Sequence, residues 1–266
     1  MFKRTLALAL LLSTSVNAAD ILEDAANDAA STDWSGLKIS IFGGLAHSTA
    51  GSNLADFSGN LIPLDVGNGL FPHSIDDDQF RLSGGIGVGY DQQFGNWVGG
   101  ISVDGSLTSL RAEHRFSQID PNPNPLFNGV STNTTYQTDI DWYATAQLRL
   151  GYLFNEDTLF YGTGGVAIGD VTNRFSLAIL PNGAGQFGPY SSPDWGTSGT
   201  ETGFVIGAGV ERKLTENLSL TFNVEYVDLA DVNIKATDPP VFGAEEINYR
   251  FKNTFTTAKI GLKLSF

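Results

Sequence analysis

Apolar and polar residues alternate with a period of two along most of this chain, and few folds accommodate such a pattern. In the stretch from Leu218 to Tyr226, residues Leu218, Leu220, Phe222, Val224 and Tyr226 fall on one face, and Ser219, Thr221, Asn223 and Glu225 on the other. Residues 142–154 set Trp142, Ala144, Ala146, Leu148, Leu150, Tyr152 and Phe154 against Tyr143, Thr145, Gln147, Arg149, Gly151 and Leu153. The last residues oppose Ala258, Ile260, Leu262, Leu264 and Phe266 to Lys259, Gly261, Lys263 and Ser265. Successive side chains of a strand point to opposite faces of a sheet, so alternation this long specifies strands.

Eight such runs are expected, at 34–46, 80–94, 97–112, 139–154, 158–175, 201–214, 218–234 and 253–266. Three connections between them are tight: Gly95-Asn96, Asn155-Glu156-Asp157 and Thr215-Glu216-Asn217. The other four are long, at 47–79, 113–138, 176–200 and 235–252. Short turns at one end and long loops at the other predict a bacterial transmembrane barrel, short turns toward the periplasm. In lipid an unpaired strand edge is too costly, so the first strand must close on the eighth. The expected fold is all-β, an eight-stranded antiparallel up-and-down transmembrane β-barrel spanning 34–266.

Composition narrows the function. The 31 Gly and a charged fraction of 17% argue against long helices, and a 41% hydrophobic share argues against wholesale disorder. The absence of Cys excludes disulfide frameworks, Cys-based zinc sites and Cys nucleophiles. A formal net charge of −14 sets nucleic acid aside as a partner. Residues 1–18 read as a signal peptide: basic Lys3 and Arg4, an apolar run at 5–12, and the small-residue site Val16-Asn17-Ala18. That run is far short of the ~20 residues a spanning helix needs. Residues 19–33, rich in Asp and Glu, are expected to form a mobile acidic lead.

Aromatic residues gather beside the tight turns: Tyr90, Phe94 and Trp97 at the first, Tyr152, Phe154, Phe160 and Tyr161 at the second. With Phe266 at the same level, they predict an interfacial girdle. The opposite face carries Lys38, Arg81, Asp91, Asp104, Asp141, Arg149, Glu211, Glu225, Lys259 and Lys263. Eight strands leave an interior just wide enough for side chains to fill it. The expectation is a plugged lumen in which Arg149, Lys259 and Lys263 pair with Glu211, Glu225 and Asp104. Inner-face glycines (Gly85, Gly87, Gly89, Gly207 and Gly209) would make room for the long side chains.

Motifs for chemistry are weak. The run from Gly162 to Ala167 matches a dinucleotide fingerprint, but Ile168-Gly169-Asp170 continues a strand where the mechanism needs a helix N-terminus. No nucleophile elbow or P-loop is present, and His47, His73 and His114 are scattered. Asp76, Asp77 and Asp78 could hold a hard cation, although such a run is more often solvated. Pro121, Pro123 and Pro125 stiffen the second loop. No cofactor, metal or enzymatic activity is expected.

Several segments resemble the porin-family outer-membrane β-barrel proteins, the small immunogenic surface barrels of Gram-negative bacteria. They are Asp33-Trp34-Ser35-Gly36-Leu37, the stretch from Gly89 to Val98, Arg149-Leu150-Gly151-Tyr152, and the stretch from Tyr161 to Ala167. The pairs Gly207 to Glu211 with Glu225 to Leu229, and the ending from Ile260 to Phe266, extend the likeness over nearly all of the chain. Leu37-Lys38-Ile39 replaces the family's usual Phe-Tyr-Val. The resemblance implies an outer-membrane location, outer-membrane lipids and lipopolysaccharide as surroundings, and recognition of Phe266 by the outer-membrane assembly machinery. It points to a structural and surface-interaction protein whose long loops could meet a ligand. The alternative is a narrow porin passing small solutes.

Overall fold

A computed structural model describes residues 33–48, 51–59, 62–76, 79–121, 129–180, 190–191, 195–237 and 246–266. The signal segment 1–18, residues 19–32 and Asp77, Asp78, Pro123 and Pro125 lie outside them. In chain order the elements are β1 (Gly36–Ser48), β2 (Gly51–Ser58), the short helix α1 (Ile62–Gly67), β3 (Ser74–Asp76), β4 (Gln79–Phe94) and β5 (Trp97–Ile119). There follow β6 (Ser131–Asn155), β7 (Thr158–Leu180), β8 (Tyr190–Ser191), β9 (Trp195–Lys213), β10 (Leu218–Thr237) and β11 (Glu246–Ser265). No described helix is long and apolar enough to cross a membrane.

Eight strands close a ring in the order β1-β4-β5-β6-β7-β9-β10-β11, and β1 pairs back onto β11 from Lys38↔Ser265 to Ser48↔Phe255. Closure leaves no edge at the level of the tight turns, which is the condition for strands to cross lipid. Leu37, Ile39, Ile41, Ile101, Val103, Leu148, Ile206 and Leu262 are exposed on the outer wall. On β11 this apolar face runs over residues 258–266. Nine residues rising ~3.3 Å each at a tilt of roughly 40° reach about 23 Å, close to the ~25 Å apolar band of such barrels.

The strands do not stop where the apolar face ends. Most of 113–138, 176–200 and 235–252, expected as loops, continues as strand: β5 reaches Ile119, β6 begins at Ser131, β7 reaches Leu180 and β11 begins at Glu246. The reason lies in the pattern. Beyond the membrane the outer face turns polar and the inner face apolar, so lipid-type alternation vanishes while strand geometry persists. On β11 the outer face passes from Leu262 and Ile260 to Thr254, Lys252 and Arg250, while the inner face passes from Lys263 and Lys259 to Phe255, Phe251 and Tyr249.

Bulges mark the transition. Ladder register shifts between Leu107 and Leu110, between Ile140 and Tyr143, and between Leu229 and Val232. In β6 the shift changes which residues point inward, from odd numbers at Tyr143, Thr145, Gln147 and Arg149 to even numbers at Ile140, Thr138, Tyr136 and Thr134. A bulge inserts one residue against a partner strand and so moves the following side chains to the other face. Asp141 falls in this bulge and is exposed; the expected place in the lumen is overturned.

Above the bulges the ring divides. The β4–β5 ladder ends at Ser83↔Thr108 and the β9–β10 ladder at Leu229↔Gly203, although all four strands continue. Two sheets result, β5-β6-β7-β9 and β10-β11-β2-β3. They face each other across Tyr136, Phe175 and Leu177 on one side and Ile234, Ile247, Tyr249, Phe251 and Ile75 on the other. The barrel thus carries a two-sheet sandwich at the end away from the tight turns, with α1 and the turn after it adding Val66, Leu70 and Phe71 to the core.

Candidate functional site

The interior is built in layers, starting from the tight-turn end. Trp34 precedes β1 and tucks beneath the barrel, fully buried among Val98, Leu159 and Tyr161. Its indole Nε1 donates to the Glu156 carbonyl (3.1 Å), and its backbone N–H to Gln93 Oε1 (2.9 Å). Lys213 Nζ donates to the Asp33 carbonyl (2.8 Å) and stands 5.1 Å from the Trp34 ring centroid. Trp34, expected as the first residue of the first strand, instead lies just before β1 with its indole packed across the tight-turn end of the barrel.

Above the cap lies a charged layer. Arg149, inward on β6, donates from Nη2 to Glu211 Oε2 (2.6 Å) and from Nη1 to Asp91 Oδ2 (3.0 Å). Lys263 Nζ meets the same Glu211 oxygen at 2.8 Å. The Arg149 guanidinium also sits 3.9 Å over the Tyr161 ring. Tyr161 thus faces the lumen, not the girdle where the sequence reading placed it, because its odd number shares the inward phase of Leu159 on β7. Higher up, Lys259 Nζ meets Glu225 Oε2 at 2.6 Å, while Glu225 Oε1 accepts from Asn223 Nδ2 (2.7 Å) and Gln147 Nε2 (3.2 Å).

The third carboxylate of the ion-pair chain is Asp91, where Asp104 was expected. Asp104 Oδ2 instead meets the Ser102 hydroxyl at 3.4 Å, with no ion pair among the described residues. Glycines make the crossings possible: a methyl group on Gly100 would overlap the Asp91 carboxylate, and one on Gly209 the Tyr161 phenol. Glu211 is 0% exposed and Glu225 2%, so each charge relies on its partners for solvation that water would otherwise supply. Between these groups remains a cavity of about 80 Å³, bordered by Lys38, Asp91, Arg149, Glu225 and Lys259 among others.

A third layer is apolar: Ala46, Leu110, Ile140, Val171, Val227, Leu229 and Phe255 fill the section at the bulges. The sandwich core follows. Rings of Tyr136 and Phe175 (5.1 Å), Tyr136 and Tyr249 (4.9 Å), and Phe175 and Tyr249 (5.3 Å) pack together, the last two pairs across the sheets. Tyr249 Oη donates to the Pro72 carbonyl (3.0 Å), and Asn68 Nδ2 to Asp120 Oδ1 (3.3 Å), tying the α1 connection over the top. Burial pushes both the Tyr136 and Tyr249 phenols above the ordinary tyrosine range.

On the outside, Tyr90, Phe94, Trp97, Tyr152 and Phe154 are exposed at the tight-turn end, with Trp97 edge-on to Tyr152 at 5.1 Å. Phe266 is exposed there too, its N–H donating to the Leu37 carbonyl (2.9 Å). Phe80 and Phe204 join Tyr226 in a second exposed aromatic set near the bulges. Above it, exposed Arg111 and Arg115 surround Glu113 at 3.4 and 2.7 Å. His47 stacks on Phe80, His73 follows α1 and His114 lies on β5, each on a different segment. The described residues contain no cluster of three or more groups suited to a metal.

Comparison with known proteins follows the same lines. A family model described as an outer membrane protein beta-barrel domain matches residues 6–266. The 31 kDa outer-membrane immunogenic protein of Brucella melitensis is 28% identical over 264 residues, covering 97% of each chain. Among solved structures, OprG of Pseudomonas aeruginosa shares 13% identity over 89% of this chain and 99% of its own, with a TM-score of 0.45. The outer membrane protease OmpT of Escherichia coli shares 8% over 90% and 99%, with a TM-score of 0.47.

Proposed function

This chain belongs to the outer membrane protein β-barrel family and resides in the outer membrane of a Gram-negative bacterium; on that premise we propose that it is a structural and surface-contact protein whose lumen is filled. The observation that carries the reading is the unbroken stack of layers inside the wall. Trp34 caps one end, ion pairs cross the middle, an apolar layer sits at the bulges and an aromatic-rich core fills the top. A continuous water path has to pass all four, and the lumenal cavity of about 80 Å³ holds only a few waters.

The role is non-enzymatic. Lipid and lipopolysaccharide surround the apolar belt, the sandwich and its connections project toward whatever the cell meets, and Phe266 is the residue offered to the assembly machinery. Planar-bilayer conductance of the refolded chain tests the reading. Rare, small events are expected. A steady, ion-selective current would favour the narrow-porin alternative, because charges lining open water tune passage, whereas these would have to part first.

A further inference from the structure

β5 carries a backbone edge that no described strand covers. Over residues 109–119 it pairs with β6 on one side only. Across the seam stand β3, which pairs with β2, and the first residues of β4, which pair with β1. β5 therefore presents a row of backbone N–H and C=O groups to this slot, and such a row recognises another extended backbone. Neither a lipid nor a glycan offers the matching alternation of donors and acceptors. The seam opens above Leu107, where the continuous apolar run on the outer face of β5 gives way to Ser109, Arg111 and Glu113, and so at the end of the barrel away from the tight turns.

The charged side chains beside this edge pair among themselves. Arg111, Glu113 and Arg115 satisfy one another on the outer face, with Asp139 of β6 3.7 Å from Arg111. Inside the seam, Ala112 and His114 of β5, Ile75 of β3 and Ser52 of β2 border a cavity of about 20 Å³, with Phe251 behind. Ser52 is 3% exposed, and its hydroxyl has no hydrogen-bond partner among the described residues. The slot thus combines a backbone template, a recess for one small side chain and a buried hydroxyl without a partner.

We propose that this seam is a strand-addition site, taking an extended polypeptide segment that pairs antiparallel with residues 109–119 of β5 and turns a small side chain toward Ser52. The partner is a peptide strand from outside the cell. This builds on the surface-contact reading and gives its partner a chemistry.

Hydrogen exchange on the full chain, reconstituted in lipid, tests it. The probe is a ten-residue peptide copying 131–140, the β6 segment that already matches β5 in register on its other side. Without peptide, alternate amides of 109–119 should exchange fast while their neighbours, bonded to β6, stay protected. With peptide, the fast set should slow by about tenfold or more, and a scrambled peptide should do nothing. Because the chain has no Cys, a Ser117→Cys variant crosslinked to peptides with Cys at successive positions should react in one register. Protection of every amide before peptide is added would overturn the proposal, as would protection that grows with protein concentration alone, the sign of a second copy. Unchanged exchange with no preferred crosslink would overturn it too. Conductance is independent: a conducting lumen beside a peptide-protected edge would sink only the filled-lumen reading.

Discussion

The half of the wall beside the tight turns and the half above the bulges are made by the same strands, yet they invert each other. Below the bulges, Ile260 and Leu262 of β11 face lipid while Lys259 and Lys263 face a charged lumen; above them, Arg250 and Lys252 face water while Tyr249 and Phe251 face an aromatic core. The hydrophobic effect explains both halves, since apolar surface leaves water in each. What differs is the solvent on the outside. Lipid must be met by a closed wall, so the lower half is a ring; water tolerates open edges, so the upper half can divide into two sheets. The lower half holds its interior by partnered charge and the upper by apolar packing, and the two should fail differently.

The largest effect should come from removing one central partner in each half. Glu211→Ala leaves Arg149 and Lys263 without the carboxylate they share, and breaking a buried pair typically costs about 3–5 kcal/mol. Phe251→Ala should cost a similar ~3–5 kcal/mol in the sandwich core. The separation lies in what unfolds. Denaturant titration in lipid should show the whole ring weakened by Glu211→Ala, whereas limited proteolysis should find Phe251→Ala opened above the bulges with the ring intact. Global unfolding by both would mean that the halves form one cooperative unit.

A single strand can sharpen the contrast on its outer face. Val103→Arg on β5 faces lipid and should cost about 2–4 kcal/mol near the midplane. Ser117→Arg, further along the outer face of the same strand, should change stability by no more than ~0.5 kcal/mol. Equal penalties would place residue 117 inside the bilayer and move the boundary.

The smallest effect is one of pH. Buried Tyr136 and Tyr249 hold their protons in the folded sandwich beyond the pH at which the unfolded chain releases them. Below about pH 10 both states are protonated and stability is unaffected; above it the unfolded state binds fewer protons, and stability falls by up to ~1.4 kcal/mol per pH unit for each phenol. Near-ultraviolet spectra should show the sandwich loosening in alkali before the ring does, and Tyr136→Phe with Tyr249→Phe should remove much of that dependence.

How much of this was legible in advance depended on how local the cause was. Gly95-Asn96 and the alternation of Leu220, Phe222 and Val224 are local facts, and they located the turns, the lipid face and the eight strands. The upper strands were harder. Residues such as Thr132, Thr134, Tyr136 and Thr138 alternate as a soluble sheet does, and polar stretches beside prolines read as loops when lipid-type alternation is the guide. Asp141 and Tyr161 were misplaced for related reasons: one sits in a bulge that no composition marks, and the other carries an aromatic ring suited to either face.

The sequence by itself determined an antiparallel barrel of eight strands with its charges turned inward, because period two and turn chemistry act between residues close in the chain, and because lipid forbids an open edge. Only the tertiary structure decided that Arg149 meets Asp91 rather than Asp104, that Trp34 packs against Val98, Leu159 and Tyr161, and that the wall parts into two sheets above the bulges. Those outcomes depend on register and on distances across the lumen between strands far apart in sequence. A shift of one residue in strand register would change which side chains meet while leaving the local pattern untouched.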